Sequence, residues 1–205
     1  MRLRANFATP RRSPQTGFSL VELAVSLAII LVISAAAIPI IVHTLKIYQL
    51  NSTASQLSGL LKFTRFEAIR QNRRVSLQIV QQGANWQIWA DSNSNGVLDG
   101  AEPAMVVTGS DTLLPGASAP SPSAITTALG SGVSGLALTV RSGSNGTITF
   151  DQRGAVFSGG PDTIYVLYLG NAPDPSYGYR AVIVLPSGVV QLWTASNTGD
   201  WKRLS

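Results

Sequence analysis

The chain has 205 residues, of which 15 are Lys or Arg, 10 are Asp or Glu and none is Cys, giving a net charge of +5. The lack of Cys excludes disulfides, thiolate metal sites and Cys nucleophiles, and a lone His, His43, argues against a multi-His zinc site or a His-based triad. Charged residues are 12% of the chain, about half the globular average of roughly 25%, which excludes a disordered polyelectrolyte and a long solvated coiled coil.

The positive charge is unevenly placed. Residues 1–17 carry Arg2, Arg4, Arg11 and Arg12 and no acid, and residues 18–45 carry only Glu22. Residues 46–74 hold six bases against Glu67, and residues 75–205 hold five bases against eight acids. A basic leader, an apolar segment, a basic helix and a mildly acidic head follow in that order. Leu23 to Val42 is an uncharged run of 20 residues, and about 20 helical residues span a bilayer core of about 30 Å. Arg residues before the run and Lys46 after it place residues 1–17 in the cytoplasm and the bulk of the chain outside. A secretory signal peptide, with Ala35–Ala37 mimicking its cleavage site, is the competing reading, but its apolar region is about 7–15 residues long. A buried core helix would be shorter and less uniform. Glu22 sits one residue before the uncharged run, where a carboxylate is costly unless paired. It reads either as an interfacial side chain reaching the headgroups or as the partner of a positive group.

Helical signals continue past Pro39, whose kink a membrane helix absorbs. Leu50, Ala54, Leu57, Leu61, Thr64 and Ala68 form one face of an amphipathic helix, broadened by Leu60, Phe63, Phe66 and Ile69. The pattern predicts a helix from Phe18 to about Asn72, with the stripe packed on the chain's own sheet. From Val75 the period becomes two. Strands are expected over Val75–Val80, Trp86–Ala90, Thr147–Phe150, Ile164–Leu169, Arg180–Leu185 and Val189–Thr194, separated by Gly-, Asn- and Pro-containing turns. The last two strands form a tight hairpin. A Gly/Ser/Ala/Pro-rich stretch over about 108–145 reads as a flexible loop in which Leu136–Val140 could be a strand.

One arrangement is specific. Gly17-Phe18-Ser19-Leu20-Val21-Glu22 follows the basic leader and opens the apolar helix. It resembles the class III signal of type IV pilins and type II secretion pseudopilins, with Glu22 and Pro39 at the family's fifth and twenty-second mature positions. The resemblance implies cleavage by prepilin peptidase between Gly17 and Phe18, N-methylation of Phe18, and a role for Glu22 in filament assembly, paired with the amine of a neighbouring subunit. Further along, Arg65–Asn72, Trp86–Trp89, Asp91–Gly96, Phe150–Gly154 and the Val184–Val190 hairpin are similar in order to the GspH/FimT group of minor pilins.

The expected fold is therefore α+β and pilin-like. A cleaved leader (1–17) precedes a helix, transmembrane over 18–45 and amphipathic over 46–74, packed on an antiparallel β-sheet head (75–205). The implied function is that of a minor pseudopilin of the type II secretion pseudopilus, not an enzyme, supporting protein export across the outer membrane. It would be single-pass in the inner membrane, with its head in the periplasm. Its implied partners are prepilin peptidase, other pseudopilins, the inner-membrane assembly platform and membrane lipid. The alternative is a minor pilin of a type IV pilus, for adhesion, motility or DNA uptake. Some relatives have a basic Gly-Arg-x-Arg turn thought to bind DNA; here the hairpin reads Gly188-Val189-Val190-Gln191, which disfavours nucleic acid, as does the acidic head.

Other candidates carry less. Asp91, Asn93, Asn95, Asp99 and Glu102, with Gly96 at the bend, follow EF-hand loop spacing and could hold Ca²⁺. Against this, a strand precedes the loop and Pro103 follows it, so a polar turn is the competing reading. No other cofactor is expected. His43 reads as an interfacial anchor, and Trp86, Trp89 and Trp193 as core or sheet-face aromatics. Trp201-Lys202-Arg203 reads as a frayed terminus. Arg65, Arg70, Arg73 and Arg74 read as a solvated or partner-facing cluster rather than a contact for phospholipid or DNA.

Overall fold

The computed structural model describes residues 17–108, 111–114, 125, 127, 136–138, 145–157, 164–171 and 173–204. Apart from Gly17, the leader lies outside these residues. The chain divides into two compact units, Met1–Val42 and His43–Ser205.

Helix α1 (Leu20–Gln71) includes Pro39 and begins two residues later than the apolar pattern predicts. In the first unit the helix is apolar all round and exposed all round; none of its most apolar 18-residue window is buried within the chain. Such a surface suits lipid rather than water. Asn72 has φ +51°. Its N–H bonds to the Ile69 carbonyl and that of Arg73 to the Ala68 carbonyl, both at 3.2 Å. These paired bonds form a Schellman motif, with Asn in the left-handed position usually held by Gly.

In the second unit the helix buries Leu50, Ala54, Leu57, Leu60, Leu61, Thr64 and Ala68, as the stripe predicts. Phe63, Phe66 and Ile69 do not join it; Phe66 is 60% exposed. At 3.6 residues per turn Phe66 lies about 180° around the helix from Leu57, so geometry excludes it from the same face.

Two sheets receive the stripe. The first has strand order β3-β2-β1-β6 and comprises β1 (Val75–Gln82), β2 (Asn85–Asp91), β3 (Ala104–Val107) and β6 (Asn145–Phe150), all antiparallel. The second runs β10-β9-β8-β7-β4. It comprises β4 (Asp111–Leu114), β7 (Ile164–Asn171), β8 (Tyr179–Val184), β9 (Val190–Ala195) and β10 (Lys202–Arg203), with β5 (Leu136–Leu138) parallel to the start of β7. Alternate residues of both sheets meet the helix: Leu77 and Ile79, Trp86 and Ile88, Leu167 and Leu169, Val182 and Val184 share one core with Leu57 and Leu61.

A second core lies on the other face of the second sheet. Ile164, Val166, Tyr168, Ala181, Ile183, Trp193 and Ala195 are covered there by Ile125 and Trp201. Strand β7 is consequently buried on both faces, which accounts for its continuous apolar run.

Two expectations are corrected. The stretch 108–145 is not simply a loop: β5 falls at the strand allowed for Leu136–Val140, and β4 and the fully buried Ile125 were not anticipated. Its short strands are specified by pairing with distant β7, not by local pattern. The remainder of that stretch lies outside the described residues. The C-terminus is not frayed, because Trp201 is buried, with its ring 5.6 Å from that of Tyr168. Lys202 and Arg203 pair with β9, and the Leu204 N–H donates to the Leu192 carbonyl.

Candidate functional site

Gly17, Phe18 and Ser19 precede the helix without regular structure, and Phe18 is 79% exposed. The Gly17–Phe18 bond thus lies in exposed chain outside the helix. Ser19 closes the helix start: its Oγ accepts the Glu22 N–H at 3.1 Å and its carbonyl accepts the Leu23 N–H. Ser-x-x-Glu is the capping-box pattern, a helix-start signal carried by the sequence itself. The Glu22 side chain is exposed and forms no ion pair among the described residues. Cleavage after Gly17 would leave a free amine two residues before a helix N-terminus, where the macrodipole is already positive. A carboxylate in the first turn is the group that balances both.

Each member of the basic cluster has a partner within the head, while Arg70, Arg73 and Arg74 remain exposed, as a solvated cluster would. Arg65 Nε donates to the Gly154 carbonyl at 2.9 Å. Arg73 donates to the Ser92 carbonyl and to Ser94 Oγ, and the Arg74 guanidinium lies 3.4 Å from the Phe157 ring centroid. Arg70 Nε donates to Glu67 Oε2 at 2.8 Å, and Gln71 also donates to Glu67. The Arg70 bonds, foremost, hold the Glu67 carboxyl down at about 2 against an ordinary 4.5. A lowered carboxylate pKa adds stability above the unfolded value that is lost as pH falls through the folded one. Acidification from about 4.5 to about 2 is therefore expected to cost the head about 1 kcal/mol through Glu67, discounted because Arg70 is solvent-exposed. Thermal melts of detergent-solubilised Glu67→Gln should show this acid-sensitive component removed.

The Asp91–Glu102 loop closes on itself. Asp91 accepts the Asn95 and Gly96 N–H groups, each at 3.0 Å, and Gln78 Nε2. Glu102 accepts the Ser92 N–H at 2.7 Å and the Asp99 N–H. Asn93 and Asn95 both turn their amide Nδ2 toward Asp99 Oδ2. The oxygens are committed to donors, and among the described residues no group of three or more His, Cys, Asp or Glu is placed to hold a metal. A Ca²⁺ ion would have to displace these bonds. Calorimetric titration of the detergent-solubilised chain with millimolar Ca²⁺ tests the loop: saturable heat would place an ion there, and its absence would leave a polar turn.

The aromatics are packing groups. Trp86 is buried and donates to Thr112 Oγ1, Trp193 donates to Gln191 Oε1, and Trp89 is 5% exposed. His43 meets Tyr177, their ring centroids 5.2 Å apart.

Comparison with known proteins follows the same lines. A model of the prokaryotic N-terminal methylation motif matches residues 12–38. A model of the type II transport protein GspH matches residues 53–188, more than half the chain. Two crystal structures of the type IV minor pilin FimU from Pseudomonas aeruginosa strain PAO1 are similar at 19% and 18% identity. They cover 76% and 77% of this chain and 97% and 94% of theirs, with TM-scores of 0.41 and 0.43. No curated protein matches. A methylation motif opening a long apolar helix, followed by a matched α+β head, defines a pilin-like structural subunit, and the chain belongs to the family of the type II transport protein GspH.

Proposed function

We propose that the chain is a minor pseudopilin of a type II secretion system. It is made with its leader in the cytoplasm, held in the inner membrane by residues 18–45, cut after Gly17 and methylated on Phe18. It then enters a short periplasmic filament that helps drive folded proteins through the outer membrane. The GspH match over residues 53–188 carries this reading. The hairpin turn supports it against DNA uptake: Ser187-Gly188-Val189-Val190 presents no Arg. Filament partners, the assembly platform and prepilin peptidase are the implied contacts.

The test is co-purification of the tagged, processed chain from membranes. Recovery with a secretin and secretion pseudopilins is expected. Recovery with pilus components alone would overturn the secretion role and make the chain a minor pilin of a type IV pilus.

A further inference from the structure

Two Asn-Gly pairs occur in the chain, and a serine precedes each: Ser94-Asn95-Gly96 and Ser144-Asn145-Gly146. In such a pair the asparagine side chain is open to attack by the next backbone nitrogen, because glycine has no Cβ to block the approach. By local sequence the two pairs are equally reactive. The fold separates them.

Asn145 and Gly146 open β6 and stand in register with Val80 and Ile79 of β1. Closing a ring between the Asn145 side chain and the Gly146 nitrogen would turn the chain out of that ladder. Asn95 and Gly96 lie instead at the exposed tip of the Asp91–Glu102 loop. A Cβ at Gly96 would meet nothing within 4 Å, so water has access to the pair.

Three hydrogen bonds arrange the reacting groups. Asn95 Oδ1 accepts the Val97 N–H at 2.8 Å. A side chain bonded to the backbone two residues on is an Asx turn, and it curls the Asn95 amide carbon back toward the intervening Gly96 nitrogen. The same N–H opposes the negative charge that grows on Oδ1 when Cγ is attacked. The Gly96 N–H donates to Asp91 Oδ2 at 3.0 Å, within the reach of a general base. Asp91 is buried and also accepts the Asn95 N–H at 3.0 Å, which fixes the carboxylate in place. Asn95 Nδ2, the nitrogen that would leave, donates to Asp99 Oδ2 at 2.8 Å.

We propose that Asn95-Gly96 is a self-modification site at which Asn95 loses its side-chain amide as ammonia. The Gly96 nitrogen bonds to Asn95 Cγ while its proton passes to Asp91. The Cγ–Nδ2 bond then breaks, and the proton returns through water to the departing nitrogen, which leaves as ammonia. A cyclic imide remains. Water opens it at either carbonyl, giving aspartate or isoaspartate. The balance is amide plus water to acid plus ammonia, with no change of oxidation state. The product replaces a donor to Asp99 by a carboxylate facing it, in a loop whose Ser92 and Ser94 accept from Arg73. Conversion therefore adds negative charge at the loop tip and loosens its closure.

The test is incubation of the full chain, solubilised in detergent at mildly alkaline pH, followed by chymotryptic digestion. Cuts after Trp89 and Leu98 release Ala90–Leu98, in which tandem mass spectrometry locates the new acid and separates Asn95 from Asn93. Asn95 is expected to convert several-fold faster than Asn145 in the folded chain, and the two at like rates in urea. Asp91→Asn is expected to slow conversion at Asn95 and leave Asn145 unchanged. Conversion at Asn95 no faster than at Asn145 in the folded chain would overturn the proposal, because the turn would then protect the amide. A difference that persists in urea would overturn it too, since it would come from local sequence rather than from the turn. Faster conversion at Asn95 in Asp91→Asn would mean that the carboxylate restrains the turn, which overturns its role as base.

Discussion

Gly188→Ala is expected to destabilise the head by about 3–5 kcal/mol, a large share of the roughly 5–15 kcal/mol that holds a typical domain together. Gly188 has φ +76°, and a Cβ there would lie 1.8 Å from the Gly154 carbonyl oxygen and 2.8 Å from Arg65 Nε. The nearest obstacle is backbone, so no side-chain rotation relieves it. Three elements meet at this point. The turn after β6 brings Gly154, the β8–β9 hairpin brings Gly188, and the helix brings Arg65, which donates to the Gly154 carbonyl at 2.9 Å. The Val156 N–H also bonds to the Pro186 carbonyl at 2.9 Å, joining the two turns directly. Pushing them apart breaks these bonds and separates the sheets. Gly154→Ala is a graded control. It shares the positive φ, +76°, but its Cβ would meet the movable end of Ile69 at 2.7 Å. Its cost should be nearer the roughly 1–2 kcal/mol of the left-handed conformation alone. Thermal unfolding of the detergent-solubilised chain, followed by near-ultraviolet circular dichroism, reads both. A wild-type melt for Gly188→Ala would refute the close approach.

Glu22→Ala is expected to be cut and methylated like the wild type but to fail at assembly, with incorporation lowered about a hundred-fold. The exposed chain around Gly17–Phe18 does not depend on the carboxylate, and Ser19 Oγ still caps the Glu22 position through its backbone N–H. What is lost is the charge opposing a mature amine at the positive end of the helix. Leaving one member of such a pair unpaired in an apolar setting costs about 3 kcal/mol or more, and about 1.4 kcal/mol is a factor of ten. Leader removal is read by gel shift and amino-terminal sequencing, and incorporation by sheared-filament recovery. Efficient incorporation of Glu22→Ala would end the assembly role.

The contrast between these two residues shows where sequence suffices. The methylation motif over residues 12–38 and the uncharged run to Val42 are legible because each is a pattern of consecutive residues. The buried stripe from Leu50 to Ala68 and the strands β1, β2, β6, β7, β8 and β9 are legible for a related reason, since periods of 3.6 and two are local consequences of helix and strand geometry. Strands β3, β4 and β10 escaped because two to four residues carry no period, and their identity comes from pairing with β2, β7 and β9.

By itself, then, the sequence determined the methylation motif, the long apolar helix and most of the strands. It also located the charge: the +5 includes four arginines within residues 1–17, and residues 18–205 carry 11 bases against 10 acids. Tertiary structure alone decided what the remaining groups do. Arg65 became a staple rather than a surface charge because residues 89 and 122 positions away present carbonyls to it. Phe66 stayed exposed because the sheets cover only one side of the helix, and Trp201 was buried because the outer face of β7 needed a lid. Asp91 and Glu102 accept backbone N–H groups from within their own loop. The outcomes for Arg65, Phe66 and Trp201 depend on which distant atoms arrive nearby, and chain order along one dimension does not carry that information.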